Sequence, residues 1–429
     1  MVCLRPLFCL LILAATSQAG APLVQLTTPQ RTYEGRILVG DDVRCWLAES
    51  DGQVHQLLLG TVSSFKRLPG EFRPDTPAQL REKLRAEFSG KWEFELVGNQ
   101  VVCAGQKRAK PFAAILDSTS RAFAGYVSRR SFPVQKAEFP LATIVFPSFE
   151  LFRTYAESEG VNATPILRGY YNPGTNRVVL YEGTPVTGQA GTASHRTTLL
   201  TRLDRSSRPG RIAAPTPFDP PQSPPTSLFH VKHSWLDRRE EMVGTPSDAG
   251  SIASFGAVAG ASLKDTLVHE TIHQLAFNAG LHSRLGSEPR WVVEGFAMLL
   301  EAESTLRDDR GGGAGDRVDV ERYTTFQNAR PSRPKTMLRD IVTGDGVFLT
   351  NPLNAYAEAW ATTFFLSETR SSQYADYLKR LSKRNRLDEY PADARQRDFE
   401  QSFGKDFVML DVQLREFMDR LKVRTSGGK

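Results

Sequence analysis

Ser262-Leu-Lys-Asp-Thr-Leu-Val-His269-Glu270-Thr-Ile-His273-Gln-Leu-Ala-Phe-Asn-Ala-Gly280 is the stretch whose residue pattern organises the rest of the chain. Leu263, Leu267, Val268, Ile272, Leu275 and Ala276 recur at helical spacing and Gly280 supplies a stop, so one helix is predicted here. Two histidines four apart on a helix point the same way. Both imidazoles then reach one Zn²⁺ at about 2.0–2.1 Å, and Glu270, one position on, faces water at that metal as a general base. Such a five-residue motif also arises by chance. Trp291-Val-Val-Glu294-Gly-Phe-Ala-Met-Leu-Leu-Glu strengthens it, because this second helical run carries a carboxylate inside apolar sequence. An unpaired charge there is costly, so Glu294 needs a cation or strong donors beside it.

Together the two segments resemble the gluzincins, the thermolysin-like and aminopeptidase-like metallopeptidases whose third ligand is a glutamate on a second helix. The resemblance implies that His269, His273 and Glu294 hold Zn²⁺ and that Glu270 is the catalytic carboxylate in hydrolysis of a peptide or protein substrate. The Glu-Gly-Phe-Ala form is similar to an exported bacterial branch catalogued as a domain of unknown function, which carries a small β-module in front. As a pattern the likeness covers residues 140–425, with its specific core at 263–301. Some gluzincins place an acidic residue four positions after the glutamate ligand, where this chain has Met298. The histidines must then be oriented by another group: Asp265, Asp340 or a backbone carbonyl. The Gly-x-Met-x-Asn signature by which aminopeptidases bind a free amino terminus is missing upstream, which favours an endopeptidase. Tyr356, in Asn354-Ala-Tyr-Ala-Glu-Ala-Trp360, is the candidate donor to a developing oxyanion, with a core tyrosine as the alternative. Two other readings stay open: a catalytically silent zincin-fold binding or scaffolding protein of the cell envelope, and a chance motif in a zinc-free helical protein.

Downstream, Gln373–Lys383 and Asp406–Leu421 read as amphipathic scaffold helices. Upstream, Thr143-Ile-Val-Phe reads as a buried strand, 148–158 as a helix, and 169–182 as a hairpin around Asn-Pro-Gly. In related peptidases a sheet at that position offers its edge strand to extended substrate. Residues 183–227 are too rich in proline for a helix or a central strand and read as an insert. His195, His230 and His233 in and beside it have no accompanying cysteine or carboxylate cluster and read as surface residues, and His282 as a loop residue.

Residues 69–140 read as a linker and a β-rich segment, with a short helix over 78–88 and a hairpin of Trp92-Glu-Phe-Glu-Leu-Val and Gln100-Val-Val-Cys-Ala. Residues 20–68 read as a small SH3-like β-module with a hairpin turn at Asp51-Gly52, in which His55 is structural. The expected fold is α+β: this barrel-like module, then a zincin-like domain over 141–425 with a mixed sheet and a helical C-terminal lobe.

Arg5, the apolar run Leu7–Ala15 and Ser17-Gln18-Ala19 have the form of a secretory signal, with an uncleaved anchor as the alternative. No later stretch approaches the roughly 18 apolar residues of a membrane span, so the expected protein is exported and not membrane-embedded. Removal of the leader takes Cys3 and Cys9 with it. Cys45 and Cys103 remain, an even pair in an oxidising compartment, and a single disulfide is expected. The net charge of +6 is spread without a basic, aromatic-interleaved stripe, which argues against a nucleic-acid partner.

Overall fold

A computed structural model describes residues 20–105, 108–183, 262–302, 305 and 313–423. The leader-like residues 1–19 and the proline-rich insert, with His195, His230 and His233, lie outside the described residues.

The first five strands are β1 (Pro22–Thr27), β2 (Thr32–Gly40), β3 (Arg44–Ala48), β4 (Val54–Leu58) and β5 (Ser64–Glu71). They form one antiparallel sheet in the order β4-β3-β2-β1-β5. Alternating side chains put Val24, Leu26, Cys45, Leu47 and Leu57 into a common core. The β3–β4 turn falls at Asp51-Gly52 as expected, with Gly52 at φ +89°, a conformation that favours glycine. Edge strands β4 and β5 do not pair with each other, so the module is an open sheet and not a closed barrel. His55 bonds Glu49 at 3.0 Å and packs on Tyr33, a structural role.

A second sheet has the order β6-β7-β8-β10-β9, from β6 (Trp92–Val97), β7 (Gln100–Gly105), β8 (Leu141–Phe146), β9 (Gly169–Asn172) and β10 (Arg177–Tyr181). β7, β8 and β10 run parallel, and β6 and β9 are antiparallel edges. The three central strands are buried throughout because helices cover both faces, and apart from Gln100, Thr143 and Arg177 they are almost wholly apolar. On one face α1 (Pro77–Glu87) and α3 (Phe149–Ser158) meet Val101, Cys103, Ile144, Phe146 and Tyr181. On the other, Val102, Ala104, Val145, Val178 and Leu180 meet α2 (Ala109–Arg129) and α4 (Leu263–Asn278).

Within residues 69–140 the expected short helix forms as α1, capped by Thr76 through a capping box with Gln79, and the expected hairpin forms as β6 and β7. Helix α2 is unexpected; it crosses over between β7 and β8 and so places the hairpin in the same sheet as β8. Among the described residues no disulfide forms. Cys45 and Cys103 are free and buried in the cores of different sheets.

The C-terminal lobe is helical: α5 (Arg290–Met298), α6 (Val320–Ala329), α7 (Met337–Thr343), α8 (Gly346–Thr350), α9 (Pro352–Thr369), α10 (Ser371–Ser382), α11 (Ala392–Phe403) and α12 (Phe407–Arg420). Helix α9 is buried from Ala355 to Ser367 and forms the axis on which α5, α6, α10 and α12 pack. Trp291, Trp360, Tyr377, Phe399 and Leu414 fill the space between them. No helix among the described residues is long and apolar enough to cross a membrane.

Candidate metal centre

Helix α4 begins at Ser262, whose side chain accepts from Asp265 N while Asp265 accepts from Ser262 N. Its far end is tied to the sheet by Gln274, whose Nε2 donates to the carbonyls of Ala142 and Asn176. Unlike a surface helix, α4 is buried from Thr266 to Gln274, held between the sheet and the helical lobe.

The loop from α4 to α5 sets where Glu294 arrives. Arg284 Nε donates to Pro173 O at 2.8 Å, and Glu288 accepts from Ser283 N at 2.9 Å and pairs with Arg386 at 3.2 Å. Burial dominates at Glu288 and pushes its carboxyl from 4.5 up to about 7 despite Arg386. Folding thus favours the protonated form. The stability this gives is complete below the unfolded pKa and is lost as pH rises through the folded one. Glu288→Gln should therefore gain on wild type by on the order of 2–3 kcal/mol between about pH 4.5 and 7, with no further change above. Urea unfolding across that range measures it, and a pH-independent difference would refute it.

Helices α4 and α5 bring His269, His273 and Glu294 together. His269 Nε2 and His273 Nε2 are 3.0 Å apart, and Glu294 Oε2 lies 3.4 and 3.7 Å from them. Tetrahedral zinc with bonds of about 2.0–2.1 Å has ligand–ligand edges of about 3.3–3.4 Å, so the three separations bracket what the ion requires. Both Glu294 carboxylate oxygens are buried without a hydrogen-bond partner. That is costly unless a cation satisfies them, and two imidazoles with one carboxylate are a zinc donor set. Burial pushes the Glu294 carboxyl up, but the two imidazoles outweigh it and hold it down at about 2.

His269 Nδ1 contacts Glu301 Oε1. Asp265 and Asp340, expected in this orienting role, are occupied elsewhere: Asp265 caps α4 and Asp340 accepts from Thr336. Glu301, itself 3.8 Å from Arg322, is an acceptor placed to take a hydrogen bond from Nδ1, the arrangement that would leave the Nε2 lone pair facing His273 and Glu294. Burial disfavours the charged form of His269, but Glu301 and Glu294 overcome it and raise its pKa, whereas burial and the neighbouring His269 lower that of His273.

Glu270 is fully buried. Its Oε2 accepts from Tyr171 N on edge strand β9 at 2.8 Å, and its Oε1 has no hydrogen-bond partner. Burial, reinforced by Glu294, pushes its carboxyl well above the usual range. Tyr356 lies on α9, 7% exposed, and its hydroxyl accepts from Arg290 Nη2 at 2.8 Å. Burial and then Glu294 raise its phenol pKa, so it is neutral. His282, just past α4, is buried between the rings of Phe277 and Phe296, and burial lowers its pKa to about 3.

Of the residues singled out for chemistry, His269, His273 and Glu294 come together, Tyr356 bonds Arg290 on the helix that carries Glu294, and Asp265 and Asp340 take other partners. Glu301, Tyr171 and Arg290 are additions. Arg290 alone had a local signal, standing four residues before Glu294 on one helix face.

Residues 264–388 match the model of a family described as a protein of unknown function (DUF1570). The match spans His269, Glu270, His273, Arg290, Glu294, Glu301 and Tyr356. No curated protein matches the chain.

Proposed function

We propose that this chain is a zinc-dependent peptidase of the gluzincin type, acting as an endopeptidase. The observation that carries the reading is three candidate ligand atoms spaced 3.0 to 3.7 Å apart, with a buried, unspent carboxylate oxygen on Glu270, the residue next to His269. A zinc ion bound by His269, His273 and Glu294 supplies Lewis acidity, lowering the pKa of water towards about 7 and polarising the scissile carbonyl.

The remaining steps belong to the chain's own side chains. Glu270 takes a proton from the attacking water at Oε1, while Tyr171 N holds Oε2 and so fixes the direction in which Oε1 points. The same carboxyl can then pass the proton on to the leaving amine. Tyr356 donates its hydroxyl to the oxygen on which negative charge develops. Strand β9 ends its sheet beside Glu270, but it is buried and its Tyr171 N–H is taken by Glu270, so internal cleavage is proposed on the missing Gly-x-Met-x-Asn signature. Export forms part of the proposal and rests on the leader-like residues 1–19.

Elemental analysis of protein purified without added metal is expected to find one zinc per chain. Cleavage across a diverse peptide library then tests the chemistry. Protein that neither contains zinc nor takes it up on titration removes the proposal. Protein that binds zinc and cleaves nothing is a silent binding or scaffolding protein.

A further inference from the structure

We propose that Arg290 is a positioning residue for Tyr356, holding the phenol oxygen so that its proton is kept for the reacting carbonyl; this rests on the peptidase reading. Arg290 opens α5 four residues before Glu294, on the face that carries the ligand. It is fixed from two directions. Its backbone N donates to Asp345 Oδ1 at 3.0 Å, and Asp345 is clamped by Arg395 through bonds of 2.9 and 3.0 Å. Its guanidinium lies 5.1 Å over the Phe348 ring, and Phe348 stands edge-on to Tyr356 at 5.4 Å and 88°.

A guanidinium carries donors only. In the 2.8 Å bond between Arg290 Nη2 and Tyr356 Oη, the tyrosine must therefore be the acceptor, and its own proton is not consumed. Among the described residues that hydroxyl donates to no acceptor. A phenol that accepts from a cation is also a better donor through its remaining proton. Burial, and then Glu294, keep that proton on the oxygen. Without Arg290, no other hydrogen bond among the described residues holds the direction of the hydroxyl.

Arg290→Met removes the donor at similar length, and Arg290→Lys keeps a charge and a donor. The first readout uses metal-free protein with ¹³Cζ-labelled tyrosine, the Tyr356 resonance being assigned from Tyr356→Phe. Arg290→Met should shift that resonance, and Arg290→Lys should bring it back towards the wild-type position. The second readout uses a peptide that wild type cleaves. Tyr356→Phe should lower kcat by about 10–10³ fold, Arg290→Met by about 10–10² fold with KM within about twofold, and the double variant should be no slower than Tyr356→Phe alone.

An unmoved resonance overturns the proposal. So does a double variant whose loss is the product of the two single losses, because Arg290 would then act by a route that does not pass through Tyr356. If wild type cleaves no peptide, it is the peptidase reading that fails, and the resonance alone decides whether Arg290 holds the phenol.

Discussion

Glu270→Gln is expected to keep its zinc and its fold while losing peptide hydrolysis by about 10²–10⁴ fold. The substitution is close to isosteric at a fully buried position. The glutamine carbonyl can still accept from Tyr171 N, so the contact with β9 survives. What disappears is the ability of the other head atom to take a proton. Folding stability should not suffer, since burial and Glu294 both work against a charge at this position. His273→Ala is the control: loss of a ligand should abolish zinc binding and hydrolysis together. Zinc content, melting temperature and kcat on one cleavable peptide separate the two variants. A Glu270→Gln protein as fast as wild type would mean that some other group accepts the proton.

The residues of this centre that were legible beforehand share one property: local spacing determines where they point. His269, Glu270 and His273 fall within one turn and a half of a helix, and Glu294 stands as a charge in an apolar run whose burial demanded a partner. Glu301 lacks such a signature. It lies beyond the end of α5, where the helical period no longer says which way a side chain faces, and only the turn after Met298 directs it to His269. Tyr171 contributes a backbone N–H, which no side-chain pattern can mark.

Helix α2 shows a different kind of miss. Phe112, Leu116, Phe123, Tyr126 and Val127 do recur at helical spacing, but the helix has no side-chain N-cap and follows a strong hairpin signal. Long-range pairing is harder still to read. The parallel register of Gln100–Gly105 with Leu141–Phe146 joins two apolar runs of a kind that any buried strand has, so nothing local says they are neighbours. The disulfide expectation failed for a related reason: an oxidising compartment permits a bridge without bringing two thiols together, and these two occupy separate cores.

Gly295→Ala is expected to cost about 2–3 kcal/mol of folding stability and to weaken zinc binding, although alanine is ordinarily the better helix residue by about 0.5–1 kcal/mol. The sign is decided by the crossing of α5 and α9. A Cβ at Gly295 would stand 2.1 Å from Thr363 Oγ1 and 2.6 Å from the carbonyl oxygen of Ala359. The threonine can turn, but the carbonyl belongs to the backbone of a helix buried along most of its length and cannot withdraw. Helix α5 must then move away from α9, and Glu294, the next residue, moves with it. A displacement of a few tenths of an ångström is felt at a site whose ligand atoms are 3.0 to 3.7 Å apart. The glycine thus lets the helix that carries Glu294, the proposed third ligand, lie close to the axis of the lobe. Urea unfolding and competition for zinc against a chelator measure the two effects. A variant that is as stable as wild type and holds zinc as tightly would show that the crossing has room to relax, and that the glycine does not set the position of Glu294.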